Sequence, residues 1–112
     1  MEEDLHIDRH ISRRYNEELQ SLHRSVLAMG GLVEDQCRDA LDALLNGDAE
    51  LAAKVAGSER EINQMEVDIS ARCTDILVRR QPAASDLRMI LAVIRVISDL
   101  ERVGDEAEKQ GL

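Results

Sequence analysis

A chain of 112 residues is the size of one domain, and 44 % hydrophobic with 33 % charged residues is enough to build a core, unlike a disordered tail. Its 23 acidic residues against 14 Lys plus Arg give a formal charge of −9, which argues against nucleic acid as a partner. Tyr15 is the single aromatic residue, so base-stacking platforms and aromatic-lined sugar or cofactor pockets are excluded.

The first element is a helix from about Asp8 to Leu45. Ile11, Tyr15, Leu19, Leu22, Val26, Met29, Val33, Cys37, Ala40 and Leu44 recur at steps of three or four, one continuous apolar stripe. Gly30-Gly31 lies within it, and each Gly costs a helix about 1 kcal/mol relative to Ala. Gly30 near the stripe suggests a close neighbour, with a kink as the alternative. Asn46-Gly47-Asp48 is a turn signal.

The second helix runs from about Ala49 to Arg80, with Asp48 placed to cap it. Leu51, Val55, Ile62, Met65, Ile69, Cys73 and Ile76 form its stripe, and Ser58 fills the polar slot in the series. Gln81-Pro82-Ala83-Ala84-Ser85 breaks the pattern, because Pro cannot sit inside a helix and turns its predecessor away from the right-handed helical region.

The third helix runs from about Ser85 to Gln110, with Gly111 positioned to end it. Leu87, Ile90, Leu91, Ile94 and Ile97 form one apolar face. Met89, Ala92, Val96, Leu100, Val103 and Ala107 occupy much of the opposite side, leaving Arg88, Arg95, Asp99 and Arg102 as a narrow polar strip. Such a helix needs burial on more than one side. Two partner helices do not cover it, so a second copy of the chain, a homodimer, is expected.

The expected fold is therefore all-α: an antiparallel three-helix bundle of long helices over residues 1–112, joined by short turns. At about 1.5 Å per residue the longer helices span roughly 45–55 Å. The start at Met1-Glu2-Glu3-Asp4 is acidic and is not followed by an apolar stretch, so no signal peptide is expected. The longest apolar run, Met89 to Ile94, falls far short of the roughly 20 residues a membrane span needs. Cys37 and Cys73 make no disulfide framework and read as small buried hydrophobes. These features point to a cytoplasmic protein.

Candidate chemistry concentrates in Leu100-Glu101-Arg102-Val103-Gly104-Asp105. Glu101 and Asp105 are four residues apart, so their carboxylates stack on one helix face. Like charges so placed repel unless a cation sits between them. A hard ion bound through oxygen, such as Mg²⁺, Mn²⁺ or iron, meets that need; a solvated helix end with Arg102 or Arg95 alongside is the alternative. Asp35 and Asp39 repeat the spacing on the first helix beside Glu34, and Glu66 borders the second helix's stripe; each is a candidate further ligand or a solvated acid. His6, His10 and His23 read as surface residues, since no His-Glu-x-x-His motif accompanies them. Arg79, Arg80 and Arg88 form the densest positive cluster, suited to an anion, to an acidic partner or simply to balancing acidic surface. No phosphate loop and no Ser–His–Asp or Cys–His set is present, so no enzyme is expected.

The succession His10-Ile11-Ser12, Tyr15-Asn16, Glu18-Leu19, Met29 to Glu34, Ile62 to Glu66, Arg80-Gln81-Pro82-Ala83-Ala84-Ser85-Asp86-Leu87-Arg88 and Leu100 to Asp105 resembles the PhoU family of bacterial phosphate-transport accessory and regulatory proteins. The resemblance covers essentially the whole chain. It implies two tandem three-helix bundles, of which this sequence matches the first, ending at Leu112. It also implies Glu/Asp-x-x-x-Asp motifs that hold metal ions, iron clusters in some members, and Glu101 and Asp105 match that motif. By resemblance, the role is damping the phosphate-starvation response by contact with two partners, the ATPase of a phosphate ABC transporter and a sensor histidine kinase, with the membrane reached only through them. A purely structural helical oligomerisation module without ligand is the alternative function.

Overall fold

In the computed structural model, the backbone is described for residues 2–111 and the side chains for residues 13–109. Three helices follow in chain order: α1, Glu2–Asn46; α2, Ala49–Arg80; and α3, Ala84–Gly111. All three pairs of helices are packed together, giving a rod of 68 × 19 × 16 Å. The three-helix expectation holds. The rod is longer than expected because α1 starts at Glu2 rather than near Asp8 and runs unbroken through Gly30-Gly31.

The turns follow local chemistry. Gly47 takes a φ of 63°, a left-handed conformation that needs no Cβ accommodation. Asp48 then caps α2, its carboxylate accepting from the N–H groups of Glu50 and Leu51 at 3.1 Å each. At the other end Gln81 is left-handed as well, at φ 45° and ψ 64°. Pro82 after it denies α2 another right-handed turn, so Gln81 closes the helix despite carrying a side chain.

The core has two apolar parts. The larger holds Leu22, Met29 and Val33 of α1, Ile62, Ile69, Cys73 and Ile76 of α2, and Ile90 and Ile97 of α3. Burying such a side chain contributes about 1.5–3 kcal/mol. The smaller holds Ala40, Val55 and Ala107.

Four details of the expected stripes are corrected. On α1, Leu44 is exposed and Ala43 takes the inward position. On α2, the buried polar residue is Glu59, not Ser58. On α3, Leu100 packs partly against the larger core instead of joining an outward face, while Met89, Val96 and Val103 remain exposed at steps of seven. Gly30 admits no close neighbour: a Cβ built there meets nothing within 4 Å. The close approach is at Gly104, where a Cβ would lie 2.7 Å from Gln36 Oε1 and 3.1 Å from Glu59 Oε2.

Candidate functional site

Gln36 of α1, Glu59 of α2 and Gly104 of α3 separate the two apolar clusters as one polar layer. Along each helix the layer falls between a residue of the larger core and one of the smaller: Val33 and Ala40, Ile62 and Val55, Ile97 and Ala107. Gln36 is 1 % exposed and Glu59 5 %. Gln36 Nε2 donates to Glu59 Oε2 at 3.1 Å and to the Val55 carbonyl at 3.3 Å. Gln36 Oε1 and Glu59 Oε1 are buried without any donor. The missing side chain at Gly104 makes room for both groups.

The layer opens toward acidic residues of α3. Oxygens of Glu59, Asp105 and Glu108 lie within 4.8 Å of one another. Burial pushes the Glu59 carboxyl above its ordinary pKa, the Gln36 hydrogen bond pulls it down, and the charges of Glu101, Glu108 and Asp105 push it up again, for a net rise. Glu66 is raised by burial first and by Glu101 second. Glu101 therefore acts electrostatically on two acids of α2, one turn of α3 away from Asp105. Lys109 is the cation nearest this group, 3.4 Å from Asp105 Oδ2, and its side chain is largely exposed.

Asp105 lies beside Glu59 of α2, and Glu101 acts on Glu59 by its charge. Glu66 joins them through its interaction with Glu101. Asp35 and Asp39 are engaged elsewhere: Asp35 pairs with Arg38 at 3.4 Å and Asp39 with Lys54 at 3.2 Å. Glu34 also pairs with Arg38. Sequence reasoning missed Glu59, Glu108 and Gln36. Glu59 lies four after Val55 and three before Ile62, but Ser58 keeps steps of three and four equally well, so spacing gave no signal for Glu59.

This donor set suits a hard cation. All its ligand atoms are carboxylate oxygens, and one member, Glu59, has a buried oxygen with no donor of its own. An ion there would satisfy that oxygen and offset the mutual repulsion of the acids.

The remaining expectations are placed as follows. His23 is exposed, whereas the His6 and His10 side chains lie outside those described. Cys73 is buried and its thiol is raised by burial; Cys37 is half-buried. Arg79 and Arg80 do not form a free positive cluster with Arg88, because both donate to Glu18 Oε1 at 3.1 Å. Among the described residues, no helix is long and apolar enough to cross a membrane.

A protein-family profile described as the PhoU domain matches residues 26–110. The phosphate-specific transport system accessory protein PhoU of Serratia marcescens is 49 % identical over 107 residues, covering 96 % of this chain and 44 % of the relative. The corresponding PhoU homolog of Pseudomonas aeruginosa is 52 % identical over 100 residues, covering 89 % of this chain and 41 % of the relative. The crystal structure of PhoU from Pseudomonas aeruginosa superposes with a TM-score of 0.84 at 50 % identity, covering 87 % of this chain and 46 % of that one. The chain spans less than half the length of the curated relatives it matches.

Proposed function

The chain belongs to the PhoU family, and from that premise we propose that it is a three-helix unit of a non-enzymatic regulator of phosphate uptake and phosphate-starvation signalling. The unit works in the cytoplasm by protein–protein contact, between the ATPase of a phosphate ABC transporter and a sensor histidine kinase. The observation that carries this reading is about 50 % identity to PhoU proteins over nearly the whole chain, joined to a matching fold.

The acidic layer deepens the reading. Glu59, Asp105 and Glu108 hold a hard cation, with Glu101 adding its charge at the edge and Glu66 behind it. Mg²⁺, Mn²⁺ or iron fits an all-carboxylate donor set. Such an ion ties α3 to α2 beside the close approach at Gly104. Its role is structural and regulatory: it fixes the relative position of two helices whose outer faces are available to partners.

A second reading, a helical oligomerisation module without ligand, draws on one observation. Met89, Val96 and Val103 expose an apolar ladder along α3, next to a groove lined by Cys37, Leu41 and Leu44 of α1. We propose that this ladder pairs two copies of the chain, which is compatible with the regulatory reading as well.

Deleting the gene tests the regulatory role. Loss of repression of a phosphate-controlled alkaline phosphatase in phosphate-rich medium is expected. Unchanged repression, in a strain with no second PhoU gene, contradicts it and leaves the oligomerisation module as the better account.

A further inference from the structure

Between α1 and α2, near the end of the bundle where Pro82 leads into α3, lies an open cleft of about 390 Å³. Arg14, Arg24, Arg72 and Arg79 reach it, with Ser21. This is an unusual concentration of positive charge in a chain of net charge −9. Three acids also line it: Glu17, Glu18 and Asp75.

Two of those acids are already committed. Arg79 donates to Asp75 Oδ2 at 2.6 Å and to Glu18 Oε1 at 3.1 Å, and Arg80 shares that Glu18 oxygen. Burial pushes Glu18 up, but the hydrogen bonds from Arg80 and Arg79 outweigh it and hold the carboxyl below its ordinary pKa. What remains is Arg14, Arg24 and Arg72, against Glu17 in the lining and Asp68 beside Arg72.

Arg72 is held in place by two serine hydroxyls and by the exposed carboxylate of Asp68. Its Nη1 donates to Ser25 Oγ at 2.8 Å and its Nη2 to Ser21 Oγ at 2.6 Å. The nearest carboxylate, Asp68, stands at 3.4 Å and is itself 62 % exposed. Two hydroxyls on successive turns of α1 therefore aim a guanidinium that is only 31 % exposed. A serine oxygen that accepts from Arg72 still has its own O–H to donate. Among the described residues, Arg14 and Arg24 form no ion pair.

We propose that this cleft binds a phosphate group. Three arginines against Glu17 and Asp68 leave one positive charge in excess, which favours an anion. The donors come from two helices: a guanidinium held by two serines, two further guanidinium groups and the Ser21 hydroxyl. That arrangement suits a tetrahedral oxyanion, whereas a planar carboxylate is satisfied by a single fork. The group arrives either as inorganic phosphate or on a phosphorylated side chain. The inference stands on the cleft alone and does not depend on the regulatory reading or on the cation site.

The test is a titration of the full chain, following the Arg Nε–Hε resonances by NMR at constant ionic strength. The probes are sodium phosphate, N-acetyl-O-phosphoserine amide and sodium acetate. Saturable shifts of the Arg24 and Arg72 resonances with phosphate identify the free ion as the ligand; shifts with the phosphoserine amide alone identify a phosphorylated side chain. Arg24→Gln and Arg72→Gln are each expected to weaken binding by about tenfold, the size of a lost charge-assisted hydrogen bond. Arg95→Gln, exposed on α3, should leave it unchanged. Arg24→Gln removes no hydrogen bond of the fold, so it remains decisive if Arg72→Gln unfolds. Binding should also strengthen as pH rises through the second phosphate pKa, about 6 for a phosphorylated side chain. No saturable shift with either phosphate probe overturns the proposal, as does an equal response to acetate or an unchanged affinity in Arg24→Gln.

Discussion

Gln36 and Glu59 meet inside the bundle as an incomplete pair: Gln36 Nε2 donates to Glu59 Oε2 at 3.1 Å, while Gln36 Oε1 and Glu59 Oε1 have no donor. A buried acceptor left unpaired costs about 1–3 kcal/mol. Glu59→Gln replaces one carboxylate oxygen by an NH₂ donor and removes a carboxylate from beside Asp105 and Glu108. The metal-free variant is expected to be more stable by about 1 kcal/mol at neutral pH, measured by urea denaturation with chelator present. A less stable variant would mean that the charge of Glu59 supports the fold even without a cation.

The same pair sets a pH dependence. The folded Glu59 carboxyl titrates above its unfolded value, which is about 4.3. The folded state therefore binds the proton more tightly, and stability falls as pH rises from that unfolded value through the raised folded one. Glu18 and Asp75 are shifted down, so their contribution is lost only as pH falls below the ordinary carboxylate range. The difference in stability between wild type and Glu59→Gln, followed from pH 4 to pH 8 (roughly the span of these titrations), is expected to widen with pH and then level. A constant difference would show that Glu59 has no raised pKa.

Gly104→Ala tests whether the close approach is a packing constraint. A Cβ there would sit 2.7 Å from Gln36 Oε1. Overpacking a core costs about 1–3 kcal/mol, partly offset by the roughly 1 kcal/mol that Ala gains over Gly in a helix. A net loss of about 1 kcal/mol is expected from thermal or urea unfolding. The matching change at Gly31, where nothing lies within 4 Å, should instead stabilise.

The helices and turns were legible because their causes are local. Asp48, Gly47 and Pro82 act on their immediate neighbours, and apolar steps of three and four need only one helix to be seen. The polar layer was not legible in the same way. Glu59 and Ser58 flank one point of the α2 stripe, as Gln36 and Cys37 do on α1, and periodicity alone does not choose between adjacent residues. Which one turns inward depends on the space that Gly104 leaves on another helix. Asp35 and Asp39 looked equivalent to Glu101 and Asp105 by spacing, and only the packing of Asp105 beside Glu59 and Glu108 distinguishes them.

Helix α3 carries the self-association prediction. Met89, Val96 and Val103 are 39 %, 43 % and 47 % exposed and lie one above another at heptad spacing. Covering them in a two-fold pairing removes apolar area at about 25 cal/mol per Å². A dimer is expected by analytical ultracentrifugation at micromolar concentration. Val96→Asp should dissociate it by bringing an unpaired carboxylate into the interface. A monomeric wild type would refute the pairing.

The cation site is tested most directly by titrating the metal-free chain with Mn²⁺ and following free ion by electron paramagnetic resonance. Saturable uptake by wild type is predicted, lost in the Glu59→Gln, Asp105→Asn double variant and retained in Asp35→Asn, whose carboxylate faces Arg38 instead. Equal uptake by wild type and the double variant, or no saturable uptake by wild type, would contradict a cation held between α2 and α3.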